Sequence, residues 1–398
     1  LELVHLPPNS LRIGQTLTFS LRDAAGKLLF AAGQSLPDSE LVRQLIARGA
    51  YVPAHETRDY QRALAHKMDT LMLQGASLQQ IAGARADFQA ERPTPSTQPL
   101  TEQALWADLQ LRAHSLLRDP AQAGFLTRLE QLRSQALTRL EQAGDAALLL
   151  LIYDAGQDHL NYSARHALLS LLLAELSARQ LGWPLDWREA LGRAALSMNL
   201  AISAQQDRHA AQVEGLSASQ RQQLTGHGDR GAALLQTLGV DDALWLSAVR
   251  LHHEAGPGTL AARAPGEQLA RLLRRVDQYG ARLSPRRNRR ALSAALAAHA
   301  VYLDELGQPD EAGAALIKAV GLYPPGSLVR LAQGEQGMVI KRGHSANLPL
   351  VAALIGKSGN PLSDPVPRDT RLASQAIAAS LAPHELRLRV QLERLLKL

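Results

Sequence analysis

The chain has 398 residues, 46% of them hydrophobic and 20% charged, with no cysteine and a formal net charge of +6. That length holds two or more domains with a sizeable core, and the missing thiols exclude disulfides, thiolate catalysis and Cys-based zinc sites, so any metal must rest on His and carboxylates. The basic balance suits a polyanionic partner, but an arginine-rich composition reaches it without one, and no aromatics interleave the basic run to make a nucleic-acid platform.

No stretch approaches the roughly 18 apolar residues of a membrane span; the nearest, Leu168 to Leu176, is interrupted by Ser170 and Glu175. The start, Leu1-Glu2-Leu3-Val4-His5, has no basic segment ahead of an apolar one and no initiator Met, which reads as a trimmed chain without a secretory signal. The expectation is a soluble, cytoplasmic protein.

In chain order, Leu17-Thr18-Phe19-Ser20-Leu21 alternates like a strand. Asp23-Ala24-Ala25-Gly26-Lys27 supplies turn chemistry, and Leu28-Leu29-Phe30 resumes the strand. A helix is predicted from Asp38 to Ala47, ending at Gly49, with a short strand at Ala50-Tyr51-Val52. Residues 1–56 thus read as a small α/β module with a docking or regulatory role, since they carry no catalytic constellation. Residues 57–90 are helix-rich, and the Pro/Ser/Thr cluster of 91–99 predicts an exposed linker, so 57–101 forms a helical segment and linker. Helical periodicity then governs 102–322, broken by turns at Gly182-Trp183-Pro184, Gly239-Val240-Asp241-Asp242 and Gly256-Pro257-Gly258. Within 323–398 the period shortens: 327–331, 337–341 and 349–355 predict strands, and 384–396 a terminal helix. The leucines of that helix, among them Leu386, Leu388, Leu395 and Leu396, suit packing on the core or on a second subunit.

The helical block carries His166, His227, the His252-His253-Glu254 run and Asp277. Imidazoles suit iron, manganese or zinc. A binuclear hydrolase holds two such ions about 3.5–4 Å apart, sharing a hydroxide and clamping a phosphoryl group. It also needs an anionic bridge between them.

Taken in order, these motifs resemble the HD-GYP family, bacterial phosphodiesterases that hydrolyse cyclic di-GMP on an all-helical, metal-binding fold. The resemblance covers about residues 125 to 345. Tyr162-Ser163-Ala164-Arg165-His166 lies over the family's first ligands; His166 matches and Tyr162 departs. The segment from Ala194 to Ile202 lies over the helix that ends in the family's His-Asp pair, followed by a Gly and a Lys. Met198 and Asn199 stand in place of the pair, and Ile202 stands where the lysine reaches a phosphate. Gly226-His227-Gly228-Asp229-Arg230-Gly231 fits the helix with the next ligand, and Val249-Arg250-Leu251-His252-His253-Glu254 fits the double-His motif. The loop Ala255-Gly256-Pro257-Gly258-Thr259-Leu260 lacks the family's Gly-Tyr-Pro. Arg271 to Ala281 resembles the helix supplying the last ligand, here Asp277.

The resemblance implies a mainly α fold: an HD-type multi-helix bundle over 102–322, with the small N-terminal α/β module before it and a C-terminal β extension after it. Asn199 is uncharged and Met198 offers only a soft thioether, so neither replaces the bridge or the imidazole. Two functions follow. The first is a catalytically inactive HD-GYP-like signalling or interaction protein in cyclic di-GMP physiology, with a signalling protein as partner, cyclic di-GMP as candidate ligand and a homodimer as candidate assembly. Met198, Asn199, Ile202 and the altered loop favour it. The second is a residual metal-dependent phosphohydrolase, acting on cyclic di-GMP or another phosphoester; the retained double His favours it. The cofactor expectation is correspondingly either none, the histidines persisting as a polar core network, or one divalent iron, manganese or zinc on His227, His252 and His253 with an open position. Arg286, Arg287, Arg289 and Arg290 read either as a solvated loop or as a guanidinium cluster for phosphate.

Overall fold

The computed structural model describes residues 3–6, 11, 13, 14, 17, 19–23, 28–30, 34–48 and 50–53, and 101–398 apart from 255, 257, 387 and 389. The helical reading of 57–90, the linker of 91–99 and the turn residues 24–27 lie outside the described residues. The chain divides between Pro99 and Leu100 into two compact units.

In the first unit, β1 (Leu3–Leu6), β2 (Leu21–Arg22), β3 (Leu28–Phe30) and β4 (Ala50–Pro53) form an antiparallel sheet ordered β1-β4-β2-β3, with α1 (Glu40–Arg48) between β3 and β4. Val4 pairs with Val52 and Leu21 with Phe30. Leu17, Phe19, Leu21, Leu36, Val42 and Val52 fill its core. The strand expected from Leu17 joins the ladder only at Leu21; Leu17 and Phe19 are buried in the core, and Leu17 N donates to the Gln34 carbonyl at 2.8 Å. No sequence signal announced β1.

The second unit opens with α2 (Glu102–Arg118), α3 (Phe125–Gln142), α4 (Gly144–Gln157), α5 (Tyr162–Gln180) and α6 (Leu185–Ser197). It continues with α7 (Ser203–Ala210), α8 (Ala218–Leu224), α9 (His227–Thr237), α10 (Ala243–Leu251), α11 (Pro265–Leu283), α12 (Ala294–Tyr302) and α13 (Glu311–Val320). Some helix starts carry side-chain acceptors for their orphan N–H groups: Thr101 caps α2, Asp242 caps α10 through Leu244 and Trp245 N at 3.0 and 3.1 Å, and Asp310 caps α13 through Gly313 N at 2.8 Å. Pro265 opens α11, where the missing N–H is no loss.

The leucine-rich run proves to be the centre of the bundle. Leu168, Leu169, Leu171, Leu172 and Leu173 on α5 are fully buried, with α2, α4, α6, α11 and α13 packed around them. Its one carboxylate, Glu175, is 2% exposed and neutralised by Arg188 and by Arg179 Nε at 2.6 Å. Among the described residues no helix is long and apolar enough to cross a membrane.

The predicted strands appear as β5 (Leu328–Leu331), β6 (Gln336–Lys341) and β7 (Leu350–Ile355), joined by β8 (Pro361–Asp369) and β9 (Ile377–Leu381) in an antiparallel sheet ordered β8-β7-β6-β5-β9. Alternation sends Met338, Ile340, Ala352 and Leu354 into the helical core, while Val329, Leu331, Val339 and Val351 form a second small cluster. β8 escaped the sequence reading because Pro361, Pro365 and Pro367 argue against a central strand; it lies at the sheet edge, where missing N–H donors are tolerated. The expected terminal helix is corrected. Among the described residues of 384–396 only Leu392–Leu395 is α-helical, after a short 3-10 turn at Pro383–Glu385. Leu386, Val390, Leu392 and Leu395 are buried against the core, with Leu388 and Leu396 partly buried against it, so the stripe records core packing and not one continuous helix.

Candidate metal centre

Three histidines meet where the start of one helix lies beside the end of another. His227 is the first residue of α9, entered through Gly226 at φ 69°, and His252 and His253 directly follow α10. A β-carbon on Gly228 would lie 2.5 Å from the Arg250 carbonyl oxygen and 2.9 Å from that of Val249. Only glycine therefore lets the start of α9 reach the end of α10 this closely. Trp245 Nε1 donates to Ser197 Oγ at 2.8 Å, tying α10 to the end of α6 just before Met198 and Asn199.

The ligand atoms of His227, His252 and His253 all lie within 4.8 Å of one another. His227 Nδ1 donates to the Leu224 carbonyl at 2.8 Å, and His252 Nδ1 donates to that of Val249 at 2.6 Å. A carbonyl can only accept, so each bond fixes the tautomer that leaves Nε2 as a lone pair. Main-chain or carboxylate acceptors behind metal-bound imidazoles work in this way. His253 Nε2 lies 3.1 Å from His227 Nε2, and His252 Nε2 is buried with no hydrogen-bond partner. Two nitrogens on one tetrahedral ion, each at about 2.0–2.1 Å, stand roughly 3.3 Å apart. The donor set therefore fits a single divalent transition ion.

Electrostatics favour the neutral, ligating form. Burial pushes the His252 pKa down to about 3, with His253 adding to the shift. Burial also lowers His227 and His253, against the opposing pull of the nearby Asp277 carboxylate.

The other expected ligands do not join the three. His166 Nε2 is engaged with Asp277 Oδ1 at 2.8 Å. Burial would raise the Asp277 pKa, but the His166 hydrogen bond and the neighbouring imidazoles hold it well below the usual carboxylate range. Gly280 makes room for this pair: a β-carbon there would sit 3.2 Å from the His166 ring. Tyr162 stacks on His166 with ring centroids 5.7 Å apart, and the Arg286 guanidinium covers Tyr162 at 5.3 Å.

A cavity of about 540 Å³ opens in front of the cluster, lined by Tyr162, His166, Asn199, Ile202, His227, His253, Asp277 and Arg286, with His252 behind its wall. The structure thus brings together nearly all of the positions singled out in the sequence. Met198 is the exception: it is 1% exposed and belongs to the apolar core rather than the cavity wall. Asn199 Nδ2 is buried without a partner, an orphan donor beside the position where the resemblance places an anionic bridge. Of the arginine run, Arg286 alone reaches this cavity. All four, Arg286, Arg287, Arg289 and Arg290, line a neighbouring depression of about 390 Å³.

Several residues of the site carried no readable motif. Gln206, His209 and Arg221 line the same cavity, and His209 is 7% exposed with Nδ1 unpartnered. They come from α7 and α8 at spacings set by packing, so no interval in the sequence could have flagged them.

No protein-family model matches the chain, and no curated protein does. Among solved structures it is similar to Bd1817, a HDG"Y"P protein from Bdellovibrio bacteriovorus, at 14% identity over 79% of this chain and 98% of that one, with a TM-score of 0.41.

Proposed function

We propose that this chain is a degenerate HD-GYP-like protein that binds one divalent transition metal on His227, His252 and His253 and does not hydrolyse cyclic di-GMP. Its role is then signalling or interaction in cyclic di-GMP physiology, with a protein partner reading the site. The observation that carries this reading is the convergence of three imidazole Nε2 atoms, two of them fixed by main-chain acceptors, with no anionic bridge to a second ion.

The residues support one ion and oppose two. Asp277 is committed to His166, Asn199 is neutral, and Met198 lies in the apolar core. An ion on three imidazoles keeps an open position and acts as a Lewis acid. Around it His166 holds Asp277, Arg286 covers Tyr162, and Arg221 and Arg250 supply positive charge at the cavity wall. The cavity volume favours a second reading, residual hydrolysis of another phosphoester at the single ion.

The test is elemental analysis and zinc and manganese calorimetry of the chelator-free protein, followed by cyclic di-GMP turnover against a His252→Ala/His253→Ala control. Bound metal with turnover equal to the control is expected. Absence of binding sinks the metal reading, and turnover clearly above the control sinks the inactive one.

A further inference from the structure

His253 lies beyond the last residue of α10, so no helical hydrogen-bond ladder fixes it. Its main-chain carbonyl instead accepts from Arg274 Nη1. Arg274 stands on α11, one turn before Asp277, and its Nε and Nη2 both meet Glu305 Oε1, at 3.2 and 3.1 Å. Glu305 also receives Arg271 Nη1 at 3.0 Å and Arg275 Nη2 at 3.3 Å. Asp310, which caps α13, holds the same two arginines through Arg271 Nε at 2.8 Å and Arg275 Nη2 at 3.1 Å. The Arg271, Arg275 and Asp310 side chains are 5%, 3% and 5% exposed, so this network is part of the packed core. It ties the carbonyl of one ligand to two helices.

Building on the metal reading above, we propose that Arg274, oriented by Glu305, is the positioning residue that sets the His253 main chain so that its imidazole meets His227 and His252 on one cation. A charge-only role for Arg274 predicts the opposite outcome on mutation. Its guanidinium bonds the His253 carbonyl, and a positive charge there would repel a divalent ion. If charge were its only effect, removing it would tighten metal binding. Positioning predicts that removal weakens it.

The full chain and the variants Arg274→Ala, Arg274→Lys and Glu305→Gln are titrated with zinc by calorimetry and with cobalt by d–d absorption. Thermal unfolding in chelator serves as the control for fold. Arg274→Ala should lose about 10-fold to 100-fold in zinc affinity, the usual range for a partner that orients a ligand, with a changed cobalt spectrum. Arg274→Lys should fall between it and the parent, because an ammonium lacks the fork that spans Glu305 and the carbonyl. Glu305→Gln should weaken binding with the Arg274 charge still present. Affinity in Arg274→Ala equal to or tighter than the parent, at an unchanged thermal midpoint, overturns the proposal. Where Arg274→Ala fails to fold, unchanged affinity in both Arg274→Lys and Glu305→Gln overturns it. A parent that binds neither zinc nor cobalt instead removes the metal reading itself.

Discussion

Replacing His252 with leucine separates a ligand from a structural group, because the two roles predict different signs. His252 is fully buried; its Nδ1 is satisfied by Val249, whereas its Nε2 has no partner. An orphaned buried polar atom costs about 1–3 kcal/mol, while a satisfied hydrogen bond contributes about 0.5–1.5 kcal/mol. Leucine is close in size and keeps the packing. In chelator, His252→Leu should therefore be as stable as the parent or gain up to about 2 kcal/mol. In zinc at a hundred times Kd the parent gains about 2.7 kcal/mol, and the variant should lose most of that gain. Urea unfolding at pH 7.5, with chelator and then with excess zinc, reads both terms. A loss above about 2 kcal/mol in chelator, with the zinc gain intact, refutes the ligand role and makes His252 a core group.

Other consequences are equally direct. Asn199→Asp supplies a carboxylate at the cavity wall and should tighten manganese binding in calorimetry, whereas Met198→His buries an imidazole in the apolar core and should cost about 2–4 kcal/mol in urea unfolding; equal metal affinity of Asn199→Asp and parent would show that position 199 does not face the ion. In chelator, stability should be level above about pH 6.5 and fall from there towards pH 4. The folded state holds His252 down at about 3 and lowers His227 and His253, so the unfolded chain takes up protons that the folded one refuses. Stability is thus complete above the unfolded pKa and lost as pH drops towards the folded one; urea midpoints unchanged down to pH 5 would contradict this, and His252→Leu should flatten the slope. Arg275→Ala leaves Asp310 short of a partner inside the core and should lower stability by about 3–5 kcal/mol, read by thermal unfolding, while Arg371→Ala, whose partner Asp369 is at the surface, should leave the midpoint unmoved.

Local pattern was enough for much of this protein. Glycine and proline punctuation with helical periodicity located the bundle from Glu102 onward, and period-two alternation located β5, β6 and β7, because both signals record which face of an element is buried. Motif order brought His166, His227, His252, His253 and Asp277 into view, since ligand residue types at motif intervals leave a trace in one dimension. The interval pattern could not show that Asp277 turns to His166 rather than to the three histidines, that Met198 belongs to the core and Asn199 to the cavity, or that Arg286 alone of the arginine run also lines that cavity. Nor could it show that Leu386 and Val390 are buried outside any helix, or that Arg274 reaches from α11 to the carbonyl of His253. Each of these depends on which side chains from distant segments share one volume and one set of hydrogen-bond partners, and that is fixed only when the helices pack.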